Sequence, residues 1–397
     1  MKNNSSRNFS RRQVLGFAGG ALAAAAVPLA MNEKWPSKTS AALSSGNNST
    51  GKDYLLSASG AEAGQYSLGW LNAAADSGEQ GFSAALSGFR GHGVLQHPSK
   101  PATALMFARR PGTQGLEVNI DSGELTGGFH CEQGRHLLGH GSFSADGRYL
   151  YTSETDYQKG SGLIVVRDAD NYQLLAQWPS YGIGPHEIKL LPDGNTLVVA
   201  NGGLLTHPSS GREVLNLDTM ASNLSYINVA DGKQLAEFRL PETKASIRHL
   251  DVAADGTVVF ATQLQRQAAG HENIISLGGV HKPGKGLELF QQPQAVIAQL
   301  NDYVGSVAVN NRSRIAGFTS PRGNLVAFWH LDSQAFVGYH PLHDVCGITC
   351  SADQRHFIIT NSMGDVRRLD GQSLQEQRQL REKFPTAWDN HLSIFTA

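Results

Sequence analysis

Three Asp-Gly dipeptides, each set between a short strand-like segment and a β-branched or aromatic one, constrain the fold of this chain more than any other feature. They lie at Asp146-Gly147, Asp193-Gly194 and Asp255-Gly256, within units spanning residues 139–154, 186–201 and 248–263. Asp-Gly suits a tight hairpin because glycine, and less readily aspartate, accepts a positive φ. Each unit therefore reads as strand, turn, strand.

Aligned on these turns, His140, Glu187 and His249 occupy one column, which extends to His92, Ser306, Gly347 and His391. The steps between members are 48, 47, 62, 57, 41 and 44 residues. Periods of about 40–50 residues are what four-stranded propeller blades require. Seven members predict an all-β, seven-bladed propeller over residues 52–397, with loop insertions at 202–221 and 266–293 accounting for the two long steps. The last member leaves too little chain to complete a blade. Strand-like pieces at 54–59, 66–71 and 81–86 are expected to complete it, closing the ring by pairing N-terminal strands with the C-terminal strand and removing exposed sheet edges. A six- or eight-bladed ring is the alternative count.

Composition agrees. Glycine makes up 44 of the 397 residues and charged residues only 17%, which favours a turn-rich all-β chain. The net charge of −1 provides no basic field, so nucleic acid is not an expected partner. Ser10-Arg11-Arg12-Gln13-Val14-Leu15-Gly16 precedes a weakly hydrophobic run ending at Ala30, the pattern of a twin-arginine export signal. Residues 1–30 are read as that signal, residues 31–51 as a polar disordered linker, and the mature chain as periplasmic with no stable membrane insertion after signal removal. The twin-arginine route carries folded proteins, many loaded with a cofactor before export. Only three cysteines are present. Cys346 and Cys350, four apart on one strand, are spaced too widely to bridge, and Cys131 has no evident partner.

The units resemble propellers of the Tyr-Val-Thr-Asn and lactonase type, in which Asp-Gly turns precede strands such as Leu-Val-Val-Ala-Asn (197–201 here). More specifically, the chain resembles an uncharacterised family of twin-arginine-exported bacterial proteins, number fifteen-thirteen among the domains of unknown function. Matching stretches include 89–93 (Phe-Arg-Gly-His-Gly), 139–144 (Gly-His-Gly-Ser-Phe-Ser), 184–187 (Gly-Pro-His-Glu), 201–208, 216–220, 247–250 and 388–392 (Trp-Asp-Asn-His-Leu). The resemblance implies a periplasmic propeller without an assigned reaction, whose relatives often accompany iron-acquisition systems.

In a propeller, the loops entering inner strands and those leaving second strands open on one face. His92, His140, His186, Glu187, His249 and His391 are therefore expected to ring one mouth of the central channel. Neutral imidazoles with a carboxylate suit iron, copper or zinc. Loops on the same face would add Arg109, Arg110, Glu154, Asp156, Asn201, His207, Gln263, Arg266 and Arg322 as ligand-binding residues, with Arg109 and Arg110 either gripping an anion or pairing with Glu154 or Asp156. The 202–221 insertion, which contains Arg212, is positioned to act as a lid. A structural reading stands beside the metal one: a Gly-His before an inner strand often braces its own blade, although the Trp-Asp signature of such repeats is missing here.

Three functions follow. The first is a periplasmic module binding a metal ion or small metal complex at the mouth. The second is a lactonase-like hydrolase or metal-dependent oxidoreductase, with Glu154 or Glu187 as base beside Arg109. The third is a scaffold for a periplasmic protein partner. No phosphate-binding loop, Gly-x-Ser-x-Gly elbow or haem-attachment motif is present.

Overall fold

The computed structural model describes residues 53–60, 64–73, 81–100, 102–211 and 213–396. Residues 1–30, read above as an export signal, residues 31–51, read as a linker, and Arg212 lie outside the described residues. Seven four-stranded antiparallel sheets form the propeller. Six blades are continuous in sequence. Their innermost strands are Gly91–Gln96, Arg135–Phe143, Pro185–Leu190, Ala245–Val252, Ser306–Asn310 and Val345–Cys350, in the first to sixth blades respectively. The seventh blade has Ser393–Thr396 innermost, followed outward by Asp53–Ser59, Ser67–Asn72 and Phe82–Leu86. All seven column positions thus lie in, or immediately before, inner strands.

The closing register pairs Asp53 with Thr396, Tyr54 with Phe395, Leu55 with Ile394 and Leu56 with Ser393. Side chains reinforce it. Phe395 is 1% exposed and sits in a cluster with Leu56, Leu68 and Val94, which joins the seventh blade to the first.

Sequence pattern tracks position within a blade. Second strands such as Thr103–Ala108 and Ile315–Ser320 are buried along their whole length, because neighbouring blades cover both faces. They accordingly read as continuous apolar or small-residue runs. Outermost strands such as Gln234–Arg239 and Phe336–Pro341 alternate between half-buried and exposed residues, as expected with one solvated face. The Asp-Gly turns form as predicted, with φ of +72° at Gly147, +68° at Gly194 and +83° at Gly256. Asp193 accepts the N–H groups of Asn195 and Thr196 at 2.8 and 2.9 Å, closing its turn.

The insertions differ from expectation in one respect. The described residues of the 202–221 insertion form an irregular excursion between the second and third strands of the third blade, with a 3₁₀ turn at Pro208–Ser210. The 266–293 segment is only partly an insertion: Gly278–His281 and Leu287–Leu289 are the third and fourth strands of the fourth blade. The glycines and lysines around them disguise two short strands. A helix at Gln294–Gln299 supplies the remaining extra length before the fifth blade. The three cysteines are unbridged.

Phe395→Ala leaves a cavity at the closing seam. Urea unfolding should show a loss of about 3–5 kcal/mol, the usual cost of truncating a buried phenylalanine; a change below 1 kcal/mol would mean that the seam does not carry the closure.

Candidate metal centre

The inner strands are irregular where the column residues sit. In a regular strand, successive side chains point to opposite faces. Here the first blade places His92 and Gly93 opposite a single partner residue between the pairs Gly91–Ala108 and Val94–Met106. The third blade does the same with His186 and Glu187, between Pro185–Asn201 and Ile188–Val199. Register also shifts between Leu137 and Gly141 around His140, and between Ile247 and His249 around Arg248. Such bulges re-aim side chains. They let His186 and Glu187, adjacent in sequence, both take part in the axial cluster.

Glycines make room for the rings. A Cβ on Gly139, whose φ is +100°, would lie 2.5 Å from Cδ2 of His92, and one on Gly93 would lie 2.7 Å from the Gly139 carbonyl oxygen. His391 has a φ of +72°, a strained value for a non-glycine residue. The Ser57 hydroxyl holds its carbonyl at 2.7 Å. Ser153 donates to the carbonyl oxygens of both His140 and His186, at 3.2 and 3.0 Å, tying two inner strands together.

Five imidazoles and one carboxylate from five consecutive blades converge in this way. Ring centroids lie 4.5 Å apart for His92 and His391, 4.6 Å for His140 and His391, 4.6 Å for His249 and His391, and 4.9 Å for His140 and His186. Donor atoms of His140, Glu187, His249 and His391 all lie within 4.8 Å of one another, and so do those of His92, His140 and His186. Contacts run between blades. Nε2 of His391 is 3.3 Å from Nε2 of His92, Nδ1 of His249 is 3.4 Å from Oε2 of Glu187, and Nδ1 of His140 is 3.9 Å from its Oε1. Two donors on one tetrahedral ion with bonds of ~2.05 Å stand about 3.3 Å apart, so part of this set is already at ligand spacing. The bulges bring rings from separate blades close enough to share one ion.

Burial is the main force holding all five imidazoles well below the usual histidine pKa. Neighbouring histidines add to the effect at His92 and His391, and Arg248 adds to it at His186 and His249. The rings are therefore neutral and offer lone pairs, the form that binds metal. Burial opposes ionisation of Glu187, but the Lys189 ammonium, 3.7 Å from Oε1, and the Leu250 N–H, 3.0 Å from Oε2, favour it, and the carboxyl lies below its ordinary value. Nδ1 of His92, Nε2 of His140 and Nδ1 of His249 are buried without a hydrogen-bond partner. Such orphaned atoms are costly unless something fills their lone pairs. The donor set, its protonation and its unpartnered nitrogens all fit a transition-metal ion.

Beside the cluster lies a cavity of about 220 Å³, whose lining includes His92, Arg109, Arg110, Gln263 and Arg322 from the expected set. Other expected ligand-binding residues are placed elsewhere. Glu154 is fully buried between blades, 2.7 Å from the Arg167 guanidinium and 3.0 Å from the Thr152 hydroxyl. It is neither a base at the mouth nor the partner of Arg109, which instead pairs with Asp389 at 2.9 Å. Asp156 accepts the N–H groups of Gln158 and Lys159 in a turn. The buried Asn201 amide donates to the Ser180 carbonyl. His207 caps the 208–210 turn and packs edge-on against Tyr157. Arg266 forms a two-pronged pair with Asp302 at 2.8 and 2.5 Å. Asp156 and His207 are claimed by their own turns, Glu154 by a residue on the adjacent strand, and Asn201 and Arg266 by groups 21 and 36 positions away.

Sequence reasoning missed Arg248, Gln265, Tyr303 and Asn390, which also line the cavity. Arg248 was concealed by strand alternation, which would send it away from its neighbour His249. The dipeptide at a column position was the available signal. In the insertion, Leu204 and Val214 reach the cavity wall, consistent with its expected covering position.

Fold and site together define a seven-bladed β-propeller with a buried polyhistidine centre on its axis. The chain belongs to the family described as "Protein of unknown function (DUF1513)", which matches residues 86–395. No curated protein matches the chain.

Gly139→Ala tests the packing of the centre. A Cβ at Gly256 meets nothing closer than 3.9 Å, so Gly256→Ala should show the backbone cost alone, about 1–2 kcal/mol. Gly139→Ala should cost more in urea unfolding because it also displaces His92; equal losses would show that the ring has room to move.

Proposed function

We propose that this protein is a metal-binding propeller that holds one transition-metal ion on its axis through His140, Glu187, His249 and His391, flanked by His92 and His186. The carrying observation is the convergence of buried, neutral imidazoles, three of whose nitrogens lack a hydrogen-bond partner. Mixed imidazole and carboxylate donors suit iron, copper and zinc. The association of similar proteins with iron-acquisition systems makes iron the first metal to assay. The twin-arginine motif supports export of the folded chain to the periplasm with its metal in place. Bound metal would offset the cost of burying five imidazoles together, so the centre and the fold stabilise each other.

Elemental analysis of protein purified after export through its own signal is the direct test. About one metal ion per chain is expected, falling to background in the His140→Ala, His249→Ala double variant. Wild-type protein without stoichiometric metal, or a double variant that retains it, would remove the centre.

A further inference from the structure

The cavity beside the axis is lined by cations that the metal centre does not use. Arg109, Arg110, Arg248 and Arg322 all line it, and no carboxylate does. Asp389 lies outside the lining and is shared between Arg90 at 2.7 Å and Arg109 at 2.9 Å. Arg248 is 9% exposed and points its Nη2 at His186, 3.3 Å from Nδ1, so it stands on the border between cavity and centre. The Arg322 guanidinium lies over the Tyr303 ring, 4.6 Å from its centroid, which fixes its plane. Guanidiniums gathered around one space repel one another, and an anion among them removes that cost. Their flat donor forks match carboxylate geometry, and the Gln263, Gln265 and Asn390 amides add neutral donors.

We infer that this cavity binds a small polycarboxylate. Two further observations select that class. First, Leu138, Leu204 and Val214 form part of the wall, which suits a carbon skeleton better than a bare inorganic oxyanion. Second, the volume of about 220 Å³ falls below the ~300–1,000 Å³ typical of sites for drug-sized ligands, so the occupant is a compact acid. The His92, His186 and His249 rings lie in the same wall, and Nδ1 of both His92 and His249 lacks a hydrogen-bond partner. The inference rests on the proposed centre for the ligand's role: one carboxylate end would face the metal and the other the arginines. The binding itself needs only the arginines.

Isothermal titration of the mature protein, stripped of metal and dialysed free of chelator, separates the two readings, because no metal is present. Citrate is the probe and inorganic phosphate the comparison. Citrate should bind one per chain at physiological salt, at least tenfold tighter than phosphate. Arg322→Gln and Arg110→Gln, each checked for unchanged thermal unfolding, should each weaken citrate at least tenfold. The inference is overturned if citrate does not bind the stripped wild type, if phosphate binds as tightly, or if both folded variants retain wild-type affinity. Stoichiometric metal in the exported protein alongside absent citrate binding would sink this inference and leave the metal centre standing.

Discussion

Everything at the axis depends on closure of the ring. Four residues at the C-terminus pair with a strand more than three hundred positions earlier, and this brings His391 beside His92. Closure of so long a loop costs chain entropy, though that cost rises only slowly with length. It is offset by burying Phe395, Leu56 and their neighbours in one cluster. Because every blade in the closed ring packs against two neighbours, the inner strands are held around one axis, and small local irregularities decide what meets in the middle.

Those irregularities are the bulges. A regular inner strand would send about half of the column side chains into the interblade packing. One extra residue per strand turns His92, His186 with Glu187, and His249 toward the axis and leaves Arg248 at the cavity wall. Glycine at 139 and 93 leaves the space into which adjacent rings fit. Strain at His391 and costly burial of several imidazoles are what a binding site retains and a purely structural core would shed.

The electrostatics divide the mouth into two regions. On the axis, burial keeps the imidazoles neutral, while Lys189 and the Leu250 N–H favour the ionised form of Glu187, a donor set with little net charge. Alongside it, the arginines give the cavity a positive lining. Neutral donors and cationic donors recognise different partners, metal and anion respectively. Their sharing of His92, His186 and His249 makes the two regions parts of one site.

The seven blades, the closing strand and the identity of the axial histidines were legible in the chain, because Asp-Gly turns and apolar second strands are local signals repeated at a blade's spacing. The strands at 278–281 and 287–289 were hidden by their shortness and by flanking glycines. The roles of Glu154, Asn201 and Arg266 were not legible, since each is set by a partner on another strand or loop (Arg167, the Ser180 carbonyl and Asp302), while Asp156 and His207 are taken up by their own turns rather than by the mouth. The sequence by itself determined which residues stand at each inner strand, as hydrogen-bonded hairpins of fixed period leave little choice. Only the tertiary structure decided how near their rings approach and which arginines face them, because those distances follow from bulges, packing between blades and closure of the ring.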